Sequence, residues 1–404
     1  MSNSSSVVSS SQRVAATTLL GVSMAHLLND LMQNAVPAAF PMFQQAMQLS
    51  FTQIGWIAFT LNLTASILQP LIGAYTDRKP MPFMLPLGMI FTLLGMAGLA
   101  LSPNLAALIL SAACIGIGSS VLHPESSRVA HLAAGKGRGM AQSIFQVGGN
   151  TGQALAPLLV AYVVTPRGPH AFLWFMLFAA IGIVIQAYMA RWYKARLRLM
   201  QETQRKTAAP SERSNLSRGF VLFVIGVLLT LLFSKFVYLA GMTGYYAFYF
   251  MDHYGLSLER AQTVLFALQF AGMAGTLLGG PLADRIGRKQ VIWFSILGTA
   301  PFSLLLPYAS PGVALILCLA IGAILMSGFS VIIVYAQEML PGRVGTIAGL
   351  FFGLSFGLAG LGSVALGWLT DQTDVAFTIR LCSYLPLLGI FAFLLPRDKK
   401  LMNG

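Results

Sequence analysis

The stretch GSSVLHPESSRVAH (residues 118–131) closes a long uncharged run and places His123, Pro124, Glu125, Arg128 and His131 close together. Residues three apart on a helix are neighbours, so the Glu125 carboxylate and the Arg128 guanidinium can face each other. Two kinds of chemistry fit this pattern. One is a structural ion pair at a helix end. The other is a proton-accepting carboxylate that loads and unloads as its exposure and its neighbours change. Asp30 offers a second acid, with His26 four residues before it and Asn34 four residues after it on the same helical face. Lys235 is a lone cation at the head of a stripe of Tyr238, Met242, Tyr245, Tyr246 and Tyr249. Such a stripe is either packing or, with a lysine at its head, a wall for an anionic ligand. Gln146 and Asn150 share a face and can add polar contacts. The spacing of His123, Glu125 and His131 is not that of a metalloenzyme helix, and no further His/Asp cluster stands out. Cys114, Cys318 and Cys382 lie far apart in apolar runs, which gives neither a disulfide nor a metal spacing. Neither metal nor cofactor is therefore expected, and an intramembrane enzyme is disfavoured.

The elements that carry these residues are membrane spans. Only 9% of the residues are charged, against about 25% in a soluble domain. The mean hydropathy is +0.74 over the whole chain. A span needs about 20 apolar residues. Segments that qualify run 15–40, 52–76, 83–101, 105–130, 139–165 and 170–191, then 219–250, 260–283, 290–309, 312–338, 344–370 and 375–396. The expected architecture is all-α and polytopic, with twelve transmembrane helices in two six-helix, pseudo-symmetric bundles. Its parts are a polar tail (1–14), an N-terminal bundle (15–192), a basic linker (193–218), a C-terminal bundle (219–396) and a short tail (397–404). The 25 Lys and Arg residues fall mainly in the even-numbered connections and the two tails. That bias puts both termini and the linker in the cytoplasm. The net charge of +13 is thus a topology signal and not a nucleic-acid footprint. The polar tail has no basic region of a cleavable signal, so the first span is expected to stay as an anchor. An ionisable group inside such spans costs about 2.5–3.5 kcal/mol, which makes Asp30, Glu125 and Lys235 candidates for function.

The two halves repeat. GAYTDRKPMP (73–82) follows the second span and GPLADRIGRK (280–289) the eighth. The second copy is a complete G-x-x-x-D-R-x-G-R-K; the first has Pro80 where the second glycine belongs and Met81 where a basic residue belongs. Carboxylates and arginines at these places suit a cytoplasmic latch on helix ends. Asp77, Arg78, Asp284, Arg285, Arg288 and Glu338 are its candidate members. Gly148 and Gly152, like Gly349, Gly353 and Gly357, have the spacing of close helix packing.

The complete loop motif in a six-plus-six chain resembles the signature of the major facilitator superfamily. GSSVLHPESSRVA, AQSIFQVGGN, GRKQVIW and VYAQEMLPGR resemble a narrower branch, the fosmidomycin-resistance efflux proteins, from about residue 20 to 396. The resemblance implies a monomeric exporter in a bacterial inner membrane that moves small anionic drugs in exchange for protons. Fosmidomycin is a phosphonate that also carries a hydroxamate. Many drug exporters of the superfamily have an arginine where Ala112 stands in this chain, so other residues must do its work. On this reading Asp30, Glu125 and His123 couple protons. Lys235, Arg128, His26, Tyr238, Tyr245, Tyr246, Gln146 and Asn150 contact the substrate. Lys235 is expected to find its acid on another helix, with Asp30 matched in depth. Uptake or exchange of an organic anion or phosphate ester, and a non-transporting membrane sensor, are the alternatives.

Overall fold

The computed structural model describes residues 2–133, 138–204, 217–339 and 344–396. The side chains of residues 2–15, 77–78, 131, 138–140, 142–143, 201–204, 218, 284, 337–338 and 344–348 lie outside that description. The described residues form helices and connections, with no strand.

The first six spans are built as follows. α1 (Ser2–Ala38) turns at Ala39 into the short α2 (Phe40–Met47). α3 (Phe51–Arg78), α4 (Met84–Leu101) and α5 (Leu105–Ala133) follow. α6 (Arg138–Leu159) is prolonged by a π-helical turn, Val160–Val164, and α7 (Phe175–Gln204) is led in by a 3-10 segment, Pro169–Trp174. The second six begin with α8 (Arg218–Tyr254) and α9 (Leu258–Ile286). Two of the next spans are broken helices: α10 (Arg288–Leu297) with α11 (Ala300–Leu305), and α12 (Pro311–Ser327) with α13 (Phe329–Met339). α14 (Val344–Gln372) is continuous, and α15 (Val375–Cys382) runs on as a 3-10 segment, Leu385–Leu394. α5 passes through Pro124 without interruption.

Eleven of these segments are long and apolar enough to cross a bilayer. α1 is not among them, because His26, Asn29, Asp30, Gln33 and Asn34 fall within nine positions of its membrane portion. The helix that departs most from a pure membrane span is therefore the one that carries the densest polar chemistry.

The bundles meet along two seams, α3 against α14 and α6 against α9. On α14 a Cβ at Gly353 would stand 2.7 Å from the Ser66 carbonyl oxygen, so a side chain there would push the seam apart. Gly148 and Gly152 let α6 lie directly on the Ser23 and Leu27 carbonyls of α1. Both glycine sets therefore serve close approach, as small residues do between membrane helices.

The repeated loops differ in a way their sequences explain. Gly287 joins α9 to α10 at φ 99°, a conformation that L side chains resist. This is the second glycine of the motif. The first copy has Pro80 there, and α3 ends instead through Lys79 at φ −134°. Lys289, the last basic residue of the motif, donates to the carbonyls of Phe393 (2.7 Å) and Leu395 (2.5 Å) and so ties down the end of the last span. Arg285 is exposed and Arg288 half-buried. The side chains of Asp77, Arg78, Asp284 and Glu338 lie outside the described residues, and with them the expected cytoplasmic latch.

The opposite face has a latch of its own. The Asp371 carboxylate at the end of α14 accepts from the backbone N–H groups of Phe51 (2.9 Å) and Thr52 (2.8 Å) and from the Thr52 hydroxyl (2.5 Å). An anion on the exposed N–H groups that start α3 is the favoured arrangement at a helix N-terminus. Gln262 of α9 donates to the Ala38 carbonyl nearby, at 2.7 Å. An amide at 371 cannot accept from both sides, and a hydrogen bond to a charged group is worth about 1.5–3 kcal/mol. Asp371→Asn is expected to loosen this face. Spin labels at positions 56 and 368, near the joined ends, should shift toward longer distances in pulsed EPR; an unchanged distribution removes the latch.

Candidate functional site

Three titratable side chains meet between the bundles. His26 and Asp30 come from α1 and His123 from α5, and each is at most 4% exposed. His26 Nε2 lies 3.3 Å from Asp30 Oδ2, and His123 Nε2 lies 3.7 Å from Asp30 Oδ1. The other ring nitrogens are fixed by backbone. His26 Nδ1 donates to the Phe145 carbonyl at 2.9 Å, and His123 Nδ1 donates to the Ser119 carbonyl at 3.0 Å. A carbonyl only accepts, so Nδ1 of each ring carries a proton, and both Nε2 atoms turn toward the carboxylate. Asn29 and Gln153 donate to Asp30 at 3.1 and 3.0 Å, so the carboxylate is held in place. Ser119 extends the network by donating to Gln33 at 2.6 Å.

Helix packing makes this possible. Gly149 of α6 sits against the imidazole of His26, and a Cβ there would run into the ring. The Phe145 ring stacks on the same imidazole at 4.1 Å between centroids. The segment FQVGGN thus supplies a ring, an acceptor and a gap for one histidine.

The cluster opens onto a cavity of about 160 Å³ that both bundles line. Its polar wall comes from α1, α5 and α6, including Asn34, Gln146, Asn150 and Gln153. Across from it stand Phe236, Phe329, Phe352 and Phe356. Phe352 and Phe356 reach His123 at 5.7 and 5.6 Å. Among the described lining residues Asp30 is the one carboxylate, and there is no lysine or arginine.

This fold, with a polar cavity between two six-helix bundles, agrees with the similarities of the chain. Residues 22–363 match the family model of the Major Facilitator Superfamily. The chain belongs to the major facilitator superfamily. It is 48% identical over 387 residues to the fosmidomycin resistance protein of Escherichia coli, covering 96% of this chain and 94% of that one. It is 44% identical over 383 residues to an uncharacterised transporter of the superfamily from Bacillus subtilis, covering 95% and 93%. A bacterial homologue of the human lysosomal transporter Spinster, solved facing inward and occupied, superposes with a TM-score of 0.72 at 16% identity, covering 93% of this chain and 95% of that one. The chain is a multi-pass membrane transporter of this superfamily and not an enzyme.

Within this superfamily fold the two intramembrane cations are not where the sequence suggested. The Lys235 ammonium does not meet Asp30. It donates to the Leu325 carbonyl at 2.8 Å and lies over the Phe329 ring at 5.2 Å. Leu325 is in the last turn of α12, where the span breaks before α13, and a cation belongs at such a C-terminus. The neighbouring side of α8, with Phe236, Leu239, Ala240 and Thr243, lines the cavity instead. Tyr238, Tyr245 and Tyr246 are buried in the core away from that lining, and Tyr245 donates to the Ser363 carbonyl at 2.5 Å. Arg128 also sits outside the lining. It donates to Glu125 (2.9 Å), to the Thr76 carbonyl near the end of α3 (2.9 Å) and to the Tyr193 hydroxyl (3.2 Å). Glu125, wholly buried, faces that arginine and not the cavity.

His26, Asp30, His123, Gln146 and Asn150 are brought together as one wall. The expectation that no His/Asp cluster exists is corrected, because the cluster draws on two helices far apart in sequence. Gln153, Asn29, Gln33 and Ser119 were missed. The spacing of Gln146, Asn150 and Gln153 by four and three could have revealed Gln153.

Two outcomes follow from these contacts. Removing one partner of a buried ion pair costs about 3–5 kcal/mol. Arg128→Met should lower the thermal midpoint in detergent, and adding Glu125→Gln should restore most of the loss; an unshifted single variant contradicts the pairing. Overpacking costs about 1–3 kcal/mol. Gly149→Ala should displace His26, visible as a changed imidazole ¹⁵N shift, and an unmoved resonance would show that the gap is not needed.

Proposed function

We propose that this transporter exports small anionic drugs of the fosmidomycin type from the cytoplasm across a bacterial inner membrane, in exchange for protons, as a monomer with both termini cytoplasmic. The observation that carries the reading is the 48% identity to a fosmidomycin resistance protein over nearly the whole of both chains. The cavity supports it. It offers amide donors and imidazoles on one wall and aromatic faces on the other, which suits a compact polar cargo with a short apolar body. Asp30 lines the cavity and Glu125 does not, which supports cargo recognition around Asp30, His26 and His123. Lys235 and Arg128 hold helix ends on this account and leave cargo affinity alone.

Inverted membrane vesicles test this. With an imposed proton gradient they should accumulate fosmidomycin, and a protonophore should abolish the accumulation. Running the gradient in both orientations separates export from uptake. Asp30→Asn should cut the rate at least about tenfold, the effect of about 1.4 kcal/mol. Lys235→Gln should leave the half-saturating concentration within about twofold while lowering the thermal midpoint. No accumulation by well-incorporated wild-type protein would refute the function, and a large loss of affinity in Lys235→Gln would move the cargo site to Lys235.

A further inference from the structure

The proposed cargo is an anion, yet the described cavity wall carries one aspartate and no lysine or arginine. A negative cargo entering a low-dielectric cavity beside a carboxylate is repelled unless a cation joins them. The two fixed cations nearby, Lys235 and Arg128, are engaged with helix-end carbonyls. The arrangement of His26, Asp30 and His123 supplies a way to recruit one.

We infer that His26 Nε2, His123 Nε2 and the Asp30 carboxylate form a binding site for a divalent transition-metal ion of the zinc, iron, cobalt or manganese class, which faces the cavity with open coordination positions. The donor atoms of the three residues lie within 4.8 Å of one another. The carboxylate-to-imidazole separations of 3.3 and 3.7 Å are close to the span between two ligands of one ion. Ligands about 2.0–2.2 Å from a tetrahedral zinc stand roughly 3.3–3.5 Å apart. Both imidazoles also have the orientation that metal ligands adopt. Each gives its Nδ1 proton to a backbone carbonyl and presents Nε2 to the shared point. The carboxylate is held by two amide N–H donors, so it too is fixed before an ion arrives. His26 Nε2 is buried and makes no well-formed hydrogen bond beyond its 3.3 Å approach to Asp30.

Donor chemistry selects the ion. Two imidazoles and one carboxylate with open positions suit borderline divalent metals, whereas calcium and magnesium prefer all-oxygen sites. The packed face of the cluster is closed by Phe145 and Gly149. The other face is cavity, so a four-coordinate ion keeps one position for cargo and a five- or six-coordinate ion two or three. Two neutral imidazoles and one carboxylate carry one negative charge, and a bound divalent ion turns the wall net positive. If the function proposed above holds, the hydroxamate of a fosmidomycin-type cargo would chelate the ion through its two oxygens.

The test uses the full-length protein in detergent, stripped with a chelator and titrated with Co²⁺. The wild type should take up one equivalent with visible absorption bands, and X-ray absorption of the Zn²⁺-loaded form should show two imidazoles. His26→Gln and His123→Gln, checked for folding by their thermal midpoints, should bind Co²⁺ at least about 100-fold more weakly, beyond the 10–100-fold that loss of an outer partner costs. Adding fosmidomycin should shift the Co²⁺ bands, and an analogue with an uncharged, non-chelating amide in place of the hydroxamate should shift them far less. Absence of a stoichiometric Co²⁺ or Zn²⁺ site in the wild type overturns the inference. Undiminished fosmidomycin binding by the stripped protein would also overturn metal-mediated recognition, while leaving the export reading intact. Metal binding without any response to fosmidomycin would keep the metal site and count against the proposed cargo.

Discussion

A charge in hydrocarbon must be matched at close range, and the placement of every ionisable group inside the spans follows from that constraint. Helix ends and broken helices expose carbonyls that have no intrahelical donor. Two cations deep in the spans are drawn to such carbonyls, Arg128 to Thr76 near the end of α3 and Lys235 to Leu325 at the break after α12. Each fixes a join in its own bundle. The one acid of the cavity wall, Asp30, is left to histidines and amides.

That division of labour polarises the cavity. Most of the amides and both imidazoles come from the N-terminal bundle, while the C-terminal one adds Thr243, Gln269, Ser355 and Ser363 and supplies most of the aromatic faces. The seams between the bundles are lined with small residues, and polar contacts are concentrated at particular places. Asp371 clamps α3, and Thr151 touches the Met273 sulfur at 3.1 Å. Rocking of one bundle against the other, the motion by which repeat-built transporters alternate access, therefore changes few polar contacts among the described residues and can leave the His26–Asp30–His123 wall assembled.

Much of this was legible in the residues. Hydropathy pointed to twelve spans in two halves, of which eleven are long and apolar enough to cross a bilayer, and the complete loop motif marked the turn where Gly287 needs a left-handed φ. The spacing of His26 and Asp30 put them on one face. What remained hidden is long-range. His123 reaches Asp30 only because α5 packs on α1, and Lys235 avoids the cavity because α12 breaks at Gly328 inside an otherwise apolar run. The rotation of α8 about its axis was not readable. That rotation decides which of Lys235 and Phe236 faces the cargo. Asp371 carried no signal of its own in the sequence, because its partner, the start of α3, lies in the other half of the chain.

The central claim is that cargo is held at the N-terminal wall around Asp30 and not at Lys235. A cryo-EM structure of the transporter with fosmidomycin bound tests it most directly. The account predicts ligand density within coordination or hydrogen-bonding distance of His26, Asp30 and His123, with the Lys235 ammonium still on the Leu325 carbonyl. Density against Lys235, with that carbonyl released, would contradict it.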